Sequence, residues 1–407
     1  MPFLILILAT AALVSLILLG ILVRSPLVKY FADKPDQRKV HQRPVPRLGG
    51  LGIVLVFLLA LAVASITRFW APFPVLPLMS MLFVGLFLLF AGTLDDVLSL
   101  GYRAKFLLQF LLAGIVVCVF HMQFASFSIL GHTLPLGDMG IVISMFWMVA
   151  VMNALNIIDG IDGLAAGVSL CGFIGIGILA YSIGSQNVLR ICAVLAGATL
   201  GFLYFNFHRK HKVFLGDTGS QFLGAMLALL ILRIHGWPSV NHSALIPVLL
   251  IAYPALDTSV AMIRRFVKGR SDLNSRFTNM FQADNDHLHH RLVYQGLSHL
   301  RATFLLLLLS SGFIAAAVMM SRVGWKGEIA IVAYLTLALT LILRRMGFIG
   351  ASVPRIRPLG NRYYEVRPTG AERYARALFS QRSMDSRGGQ FNVQSKQAPS
   401  LEQLLDQ

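Results

Sequence analysis

The sequence predicts an all-α polytopic membrane protein, and three observations predict it. Apolar runs near the ~20-residue spanning length recur about eleven times. Only 13% of the 407 residues are charged while 56% are hydrophobic, about half the charge of a soluble chain. Lys and Arg gather in alternate loops, as the positive-inside rule requires of a chain that crosses and recrosses a bilayer. A bilayer core satisfies no backbone group, and the runs lack the alternation of barrel strands, so each run reads as a helix.

In order, the runs cover approximately 3–23, 49–67, 75–93, 104–122, 139–156, 164–183, 188–205, 220–234, 243–263, 302–321 and 327–343. The first is long enough to span and no basic segment precedes it, so it is expected to be retained rather than cleaved. The second opens on Gly49-Gly50 after a proline-rich loop, where glycine permits close helix packing. The third ends at Asp95-Asp96, and the fourth starts beside Lys105. The fifth ends in Asn153 and Asn156, and two Asp-Gly turns, Asp159-Gly160 and Asp162-Gly163, lead to the sixth. The seventh runs into His208-Arg-Lys-His-Lys212, a basic loop best explained by topology. The eighth is short and opens at Asp217-Thr-Gly-Ser220. The ninth and tenth flank a long loop carrying His287, His289, His290 and Arg291. Cys118, Cys171 and Cys192 all lie inside apolar runs, with no disulfide or zinc spacing.

With the first helix starting outside, the inner loops and tail hold about 30 of the 35 Lys and Arg residues. This places the N-terminus in the periplasm and the C-terminus in the cytoplasm. The formal charge of +17 is then a topology signal, and no nucleic-acid partner is expected. Residues 1–345 are read as the transmembrane catalytic domain. Residues 346–407 are read as a basic, partly disordered cytoplasmic tail whose arginines can lie on anionic lipid.

The same orientation puts every acidic and histidine cluster on the cytoplasmic side. Carboxylates near membrane depth are costly and therefore functional by default. Two adjacent carboxylates, Asp95 and Asp96, repel unless a cation or proton offsets them; a solvated helix end is the plainer account of that pair taken alone. Asn153, Asn156 and Asp159 recur at steps of three, which lines oxygen ligands along one helical face. An all-oxygen set favours a hard cation such as Mg²⁺ over zinc. At Gly216–Ser220 the free N–H groups of a helix start favour phosphate, and Asp217 can hold the metal or simply cap the helix. For the histidines, no Cys and no HExxH pattern supports zinc; a cationic, hydrogen-bonding cradle for a diphosphate fits better. Arg38, Lys39, His41 and Arg47 line a loop stiffened by Pro44 and Pro46. Their charges fit topology or an anionic substrate, whereas the Pro/Gly pattern needs a further cause.

At these motifs the chain resembles the polyprenyl-phosphate N-acetylhexosamine-1-phosphate transferases. The likeness runs over roughly residues 33–343, and the order of five motifs makes it specific. It is nearer to the GlcNAc-type branch than to the phospho-MurNAc-pentapeptide translocases. The resemblance implies transfer of a sugar-1-phosphate, GlcNAc-1-phosphate first, from a UDP-N-acetylhexosamine to undecaprenyl phosphate, with UMP released. It implies Mg²⁺, with Mn²⁺ as a substitute, held by Asp217 with Asn156 nearby. Asp95 and Asp96 match the acidic pair at the lipid phosphate, Asp95 as the base, and Asp159 and Asp162 match acids at the nucleotide-sugar site. These four are the expected catalytic carboxylates. Lys105, Asn153, His287, His289, His290 and Arg291 are the expected substrate contacts. One departure stands beside the histidines, where Asn285 follows Asp284 in place of a basic residue. The expected setting is the bacterial inner membrane with the site facing the cytoplasm, starting a surface glycan such as O-antigen lipopolysaccharide or cell-wall polymer. A homodimer is compatible with this. The peptidoglycan enzyme and, from another class, an ion-coupled transporter are the alternatives; a transporter predicts acids deep inside helices rather than at their inner ends.

Overall fold

The structure, a computed structural model, describes residues 2–33, 44–67, 74–129, 131–208, 210–235, 243–268, 287–294, 296–345, 355–359 and 363–367. Its long helices are α1 (Pro2–Leu22), α2 (Gly49–Ile66), α3 (Val75–Leu98), α4 (Tyr102–Cys118), α5 (Met139–Ile158), α6 (Leu164–Ser182), α7 (Gln186–Phe207) and α8 (Gly216–His235). After them come α9 (Leu245–Leu250), α10 (Ala252–Lys268), α11 (Leu288–Tyr294), α12 (His299–Met320) and α13 (Trp325–Arg345). The chain is an all-α multi-pass membrane protein. Eight described helices, α1–α3, α5–α8 and α12, are long and apolar enough to cross a membrane.

The other three predicted runs are also helical. α4 has 17 residues, α13 carries Lys and Arg near its ends, and the ninth run is not one helix but two. That is a correction. The backbone leaves the helix at Ile251 (φ −122°, ψ 21°) between α9 and α10. Pro254, in the first turn of α10, has no N–H to donate and its ring opposes the carbonyl four residues back. The break frees α10 to be amphipathic, with Asp257 on its buried side.

Two compact units divide the chain at residue 331. In Met1–Ile331, α8 forms the centre, packed by α2, α3, α5 and α6, and all but a few of its residues are buried. Small residues allow that approach: a Cβ on Gly50 would meet the Gly219 backbone at 2.1 Å, and one on Gly92 would meet Thr218 at 2.6 Å. Outside lipid contact, close backbone packing of this kind is how membrane helices associate. Two short antiparallel pairs join the helices, β1 (Ala32–Asp33) with β2 (Val45–Pro46) and β3 (Ser126–Ile129) with β4 (His132–Pro135). In Val332–Gln407, the later part of α13 is followed by the hairpin β5 (Arg355–Leu359) and β6 (Tyr363–Arg367), with Arg357 opposite Glu365. This hairpin lies in the stretch read as a basic tail. The rest of that tail, Arg38, Lys39, His41, Asp284 and Asn285 lie outside the described residues.

Candidate active site

One end of the bundle gathers the C-terminal ends of α3 and α5 with the N-terminal ends of α4 and α8. Asp95 and Asp96 occupy the last turn of α3, and both are buried. Their roles differ. Asp95 Oδ1 accepts the Leu100 N–H at 2.9 Å, which fixes the chain as it leaves α3 through left-handed Ser99. Its Oδ2 meets Lys105 Nζ at 2.7 Å and Gln221 Nε2 at 3.3 Å.

Asp96 is spent differently. Its Oδ1 accepts the Asp217 N–H at 2.8 Å, and its Oδ2 accepts the Thr218 N–H at 3.0 Å and the Thr218 hydroxyl at 2.6 Å. A carboxylate from α3 therefore caps α8, answering both the orphan donors and the positive end of its dipole. Two readings of the sequence change here. The Asp217 and Thr218 N–H groups are not open to a phosphate, and Asp217 is not the cap. Asp217 is released to face cations: Lys105 Nζ lies 3.3 Å from its Oδ1 and Arg47 3.9 Å from its Oδ2.

Arg47 is held in place by Asp33 at 2.8 Å and by its own N–H to the Phe31 carbonyl. The Pro/Gly pattern around it also has its cause. The Phe214 N–H donates to the Pro46 carbonyl, while the Gly49 and Gly50 N–H groups donate to the Phe214 and Leu215 carbonyls. The loop before α2 is thus laced to the segment before α8, and a Cβ at Gly49 would strike Phe202 and the Phe214 carbonyl.

Asn156 accepts from the Ser220 hydroxyl at 3.0 Å, which sets it beside the first turn of α8. Asn153 does not join the site. Its amide donates to Gln109 Oε1 at 2.6 Å and to the Val149 carbonyl, and Gln109 reaches Gln221, the partner of Asp95. It belongs to a buried amide chain that supports Asp95, because a lone amide facing an apolar interior is costly. The i, i+3 spacing was a sound cue for a shared face, yet it did not say which neighbour each amide would meet.

Asp159 and Asp162 lie on the turn after α5. Burial, then the carboxylates of Asp217 and Asp96, push the Asp159 pKa well above the carboxylate range. Asp162 pairs with Lys212 at 2.6 Å, so the basic loop before α8 contributes to the site as well as to charge balance. Asn206, which the sequence did not single out, holds this turn. Asn206 accepts the Gly163 N–H at 2.6 Å and donates to the Val213 carbonyl at 2.9 Å, tying the turn to the segment before Asp217. Gly163 sits at φ +73°, a conformation glycine adopts without penalty. Asn206→Ala strands a buried N–H and a buried carbonyl. We expect a loss of about 2–4 kcal/mol, read as a lowered thermal midpoint in detergent.

The histidines begin α11. His287 and His289 turn Nδ1 toward the buried Asp257 carboxylate, at 3.2 and 3.6 Å, and stack on each other at 5.7 Å. Arg291 is buried in the same helix. Asp257 falls within the ninth run and is not singled out by the sequence; an acid inside such an apolar run is the signal that could find it. Burial, reinforced by His289 and His287, lowers the His290 pKa to about 4. The unfolded chain takes up that proton near pH 6.5, about the ordinary value for histidine. The folded state refuses it until about pH 4. The stability His290 contributes is therefore complete above the ordinary value and shrinks as pH falls toward about 4. Thermal midpoints should drop less across this window in His290→Gln than in the parent.

The description "Glycosyl transferase family 4" matches residues 78–235, which include the acidic ends of α3, α5 and α8. The chain is 36% identical over 321 residues to a probable undecaprenyl-phosphate N-acetylglucosaminyl 1-phosphate transferase of Bacillus subtilis, covering 76% of this chain and 84% of the relative. The chain belongs to glycosyl transferase family 4. Within the family it is also 34% identical over 363 residues to the decaprenyl-phosphate N-acetylglucosaminephosphotransferase of Mycolicibacterium smegmatis, covering 79% and 84% of the two chains. To the undecaprenyl-phosphate alpha-N-acetylglucosaminyl 1-phosphate transferase of Escherichia coli K12 it is 30% identical over 296 residues, covering 70% and 74%.

Proposed function

We propose that this family 4 enzyme transfers GlcNAc-1-phosphate from UDP-GlcNAc to undecaprenyl phosphate at the cytoplasmic face of a bacterial inner membrane. The product would start a surface glycan. The observation that carries the proposal is the meeting of Asp95, Lys105, Asp217 and Asn156 at one end of the bundle. The names of the relatives support the donor and acceptor classes. The excess of Lys and Arg in the expected inner loops supports the orientation.

A divalent cation fits the donor set. Asp217 offers two oxygens that accept no backbone N–H among the described residues, and Asn156 offers an amide oxygen at Ser220, in the same first turn of α8. Among the described residues no group of three His, Cys, Asp or Glu side chains forms a metal cage. Mg²⁺ characteristically uses one or two carboxylates and takes its remaining oxygens from substrate phosphates and water. When bound, it would offset phosphate charge and polarise the β-phosphoryl group.

The chain's own groups set the rest. An oxygen of the lipid phosphate attacks the β-phosphorus of the UDP-sugar as the bond to the bridging oxygen breaks. UMP carries that oxygen away. Asp95 orients the acceptor and takes its remaining proton, a small task for a phosphate with a second pKa of about 6. Lys105 and Arg47 reduce the repulsion between two anions, and the reaction needs positioning and charge compensation more than covalent help. Asp159, Asp162 and the His287–Arg291 segment line the donor side.

The test uses purified protein, undecaprenyl phosphate, Mg²⁺ and a panel of UDP-sugars, with UMP release as the readout. UDP-GlcNAc should give the fastest release, and chelation should stop it. Selective use of UDP-MurNAc-pentapeptide would move the chain to the peptidoglycan reaction, and no release with any donor would end the transferase reading.

A further inference from the structure

We infer that Asp257 is a positioning residue, which anchors His287 and His289 so that the histidine segment docks against the Asp159–Asp162 turn on the donor side of the site. The inference rests on the proposed transferase reading, since it concerns how that site's donor side is built.

Asp257 lies on the buried side of α10, 4% exposed. It makes three approaches to the segment that opens α11. Oδ1 accepts the Leu288 N–H at 2.6 Å, which answers a donor the short helix leaves open. Oδ2 faces His287 Nδ1 at 3.2 Å and His289 Nδ1 at 3.6 Å. On the far side of His287, an Arg265 N–H lies 3.4 Å from Nε2. A guanidinium only donates, so this Nε2 accepts. The ring's proton then sits on Nδ1, the nitrogen nearest Asp257 Oδ2. That tautomer follows from the partners, as second-layer carboxylates commonly fix an imidazole.

The second ring links this anchor to the catalytic turn. His289 is fully buried, and a Cβ placed on Gly160 would come within 2.7 Å of its Nε2. The imidazole edge therefore rests on the backbone between Asp159 and Asp162, and a side chain there would displace the ring. Asp257 thus acts at a distance: it touches neither acid, yet it sets the ring that lies against the turn carrying both. A buried carboxylate beside two rings is expensive unless it is answered on all sides. Here the Leu288 N–H answers Oδ1, and the two imidazoles lie within 3.2 and 3.6 Å of Oδ2.

The test uses the full-length protein in detergent. Asp257→Asn keeps an oxygen for the Leu288 N–H but turns an NH₂ toward the two Nδ1 atoms. We expect kcat/KM for UDP-GlcNAc to fall about 100-fold, the scale of removing one member of a buried charge contact. KM for undecaprenyl phosphate should stay within about two-fold, and the thermal midpoint within a few degrees, because the cap survives. Asp257→Glu should recover at least about ten-fold over Asn by restoring the acceptor. Gly160→Ala should reproduce the donor-side loss, and combined with Asp257→Asn it should add less than about three-fold, because both act through the same ring. Parent-like kinetics in Asp257→Asn, equal losses toward both substrates, or full additivity in the double variant would each overturn the inference. A parent protein that releases no UMP would overturn the transferase reading and this inference with it. Parent turnover with an undisturbed Asp257→Asn would overturn the inference alone.

Discussion

Asp217→Ala should lower sugar-phosphate transfer by at least about 10³-fold, the scale of removing a principal charge-stabilising group, while the protein folds as well as the parent. The reason is local. The Asp217 N–H is held by Asp96, and among the described residues its own carboxylate accepts no backbone N–H and faces Lys105 and Arg47. Its removal forfeits a favourable dipole contact of about 0.3–1 kcal/mol. It also relieves repulsion on Asp159, to which Asp217 is the foremost neighbouring charge. Lys105 keeps its partner Asp95. Thermal midpoint and UMP release, measured on the same preparation, check this. Activity above a tenth of the parent would remove Asp217 from the metal role.

Asp96→Ala should show the opposite balance, with stability and activity lost together. Two backbone N–H groups and one hydroxyl lose their acceptor in a buried position. At about 1–3 kcal/mol for each stranded group, the loss approaches the whole stability of a typical domain. Folded yield should drop, and the surviving fraction should be inactive, because Asp217 is no longer presented by an ordered helix start. Asp96→Asn keeps one acceptor oxygen and should fall between the parent and Ala. A stable, correctly folded Asp96→Ala that is merely inactive would show that its role is chemical rather than structural. Adjacent acids thus acquire different work: Asp95 faces the site, and Asp96 builds it.

Much of the site was legible in the sequence because each motif sits at the end of an apolar run. A charged residue there must be answered, and alternate loops share a side. That reasoning brought Asp95, Lys105, Asn156, Asp159, Asp162 and Asp217 to one end, and they meet there. It missed what depends on side-chain direction. Asn153 shares a helical face with Asn156 but turns to Gln109. Lys212 was assigned to topology and pairs with Asp162. Asn206 stands just beyond the seventh run and Asp257 inside the ninth, and their partners show what each one holds.

By itself the sequence determined the class of fold, the approximate place of each helix and the gathering of the motifs, because hydrophobic length and positive charge act locally along the chain. Tertiary structure decided the break between α9 and α10 and the division of work between Asp95 and Asp96. It also decided the anchoring of the histidines and the lacing of Pro46–Gly50 onto Phe214–Leu215. Apart from the break, which follows from Pro254, each of these depends on which polar group finds which partner across more than a dozen residues of chain. In a buried setting every such group must find one, and spacing along one segment carries no record of what lies opposite.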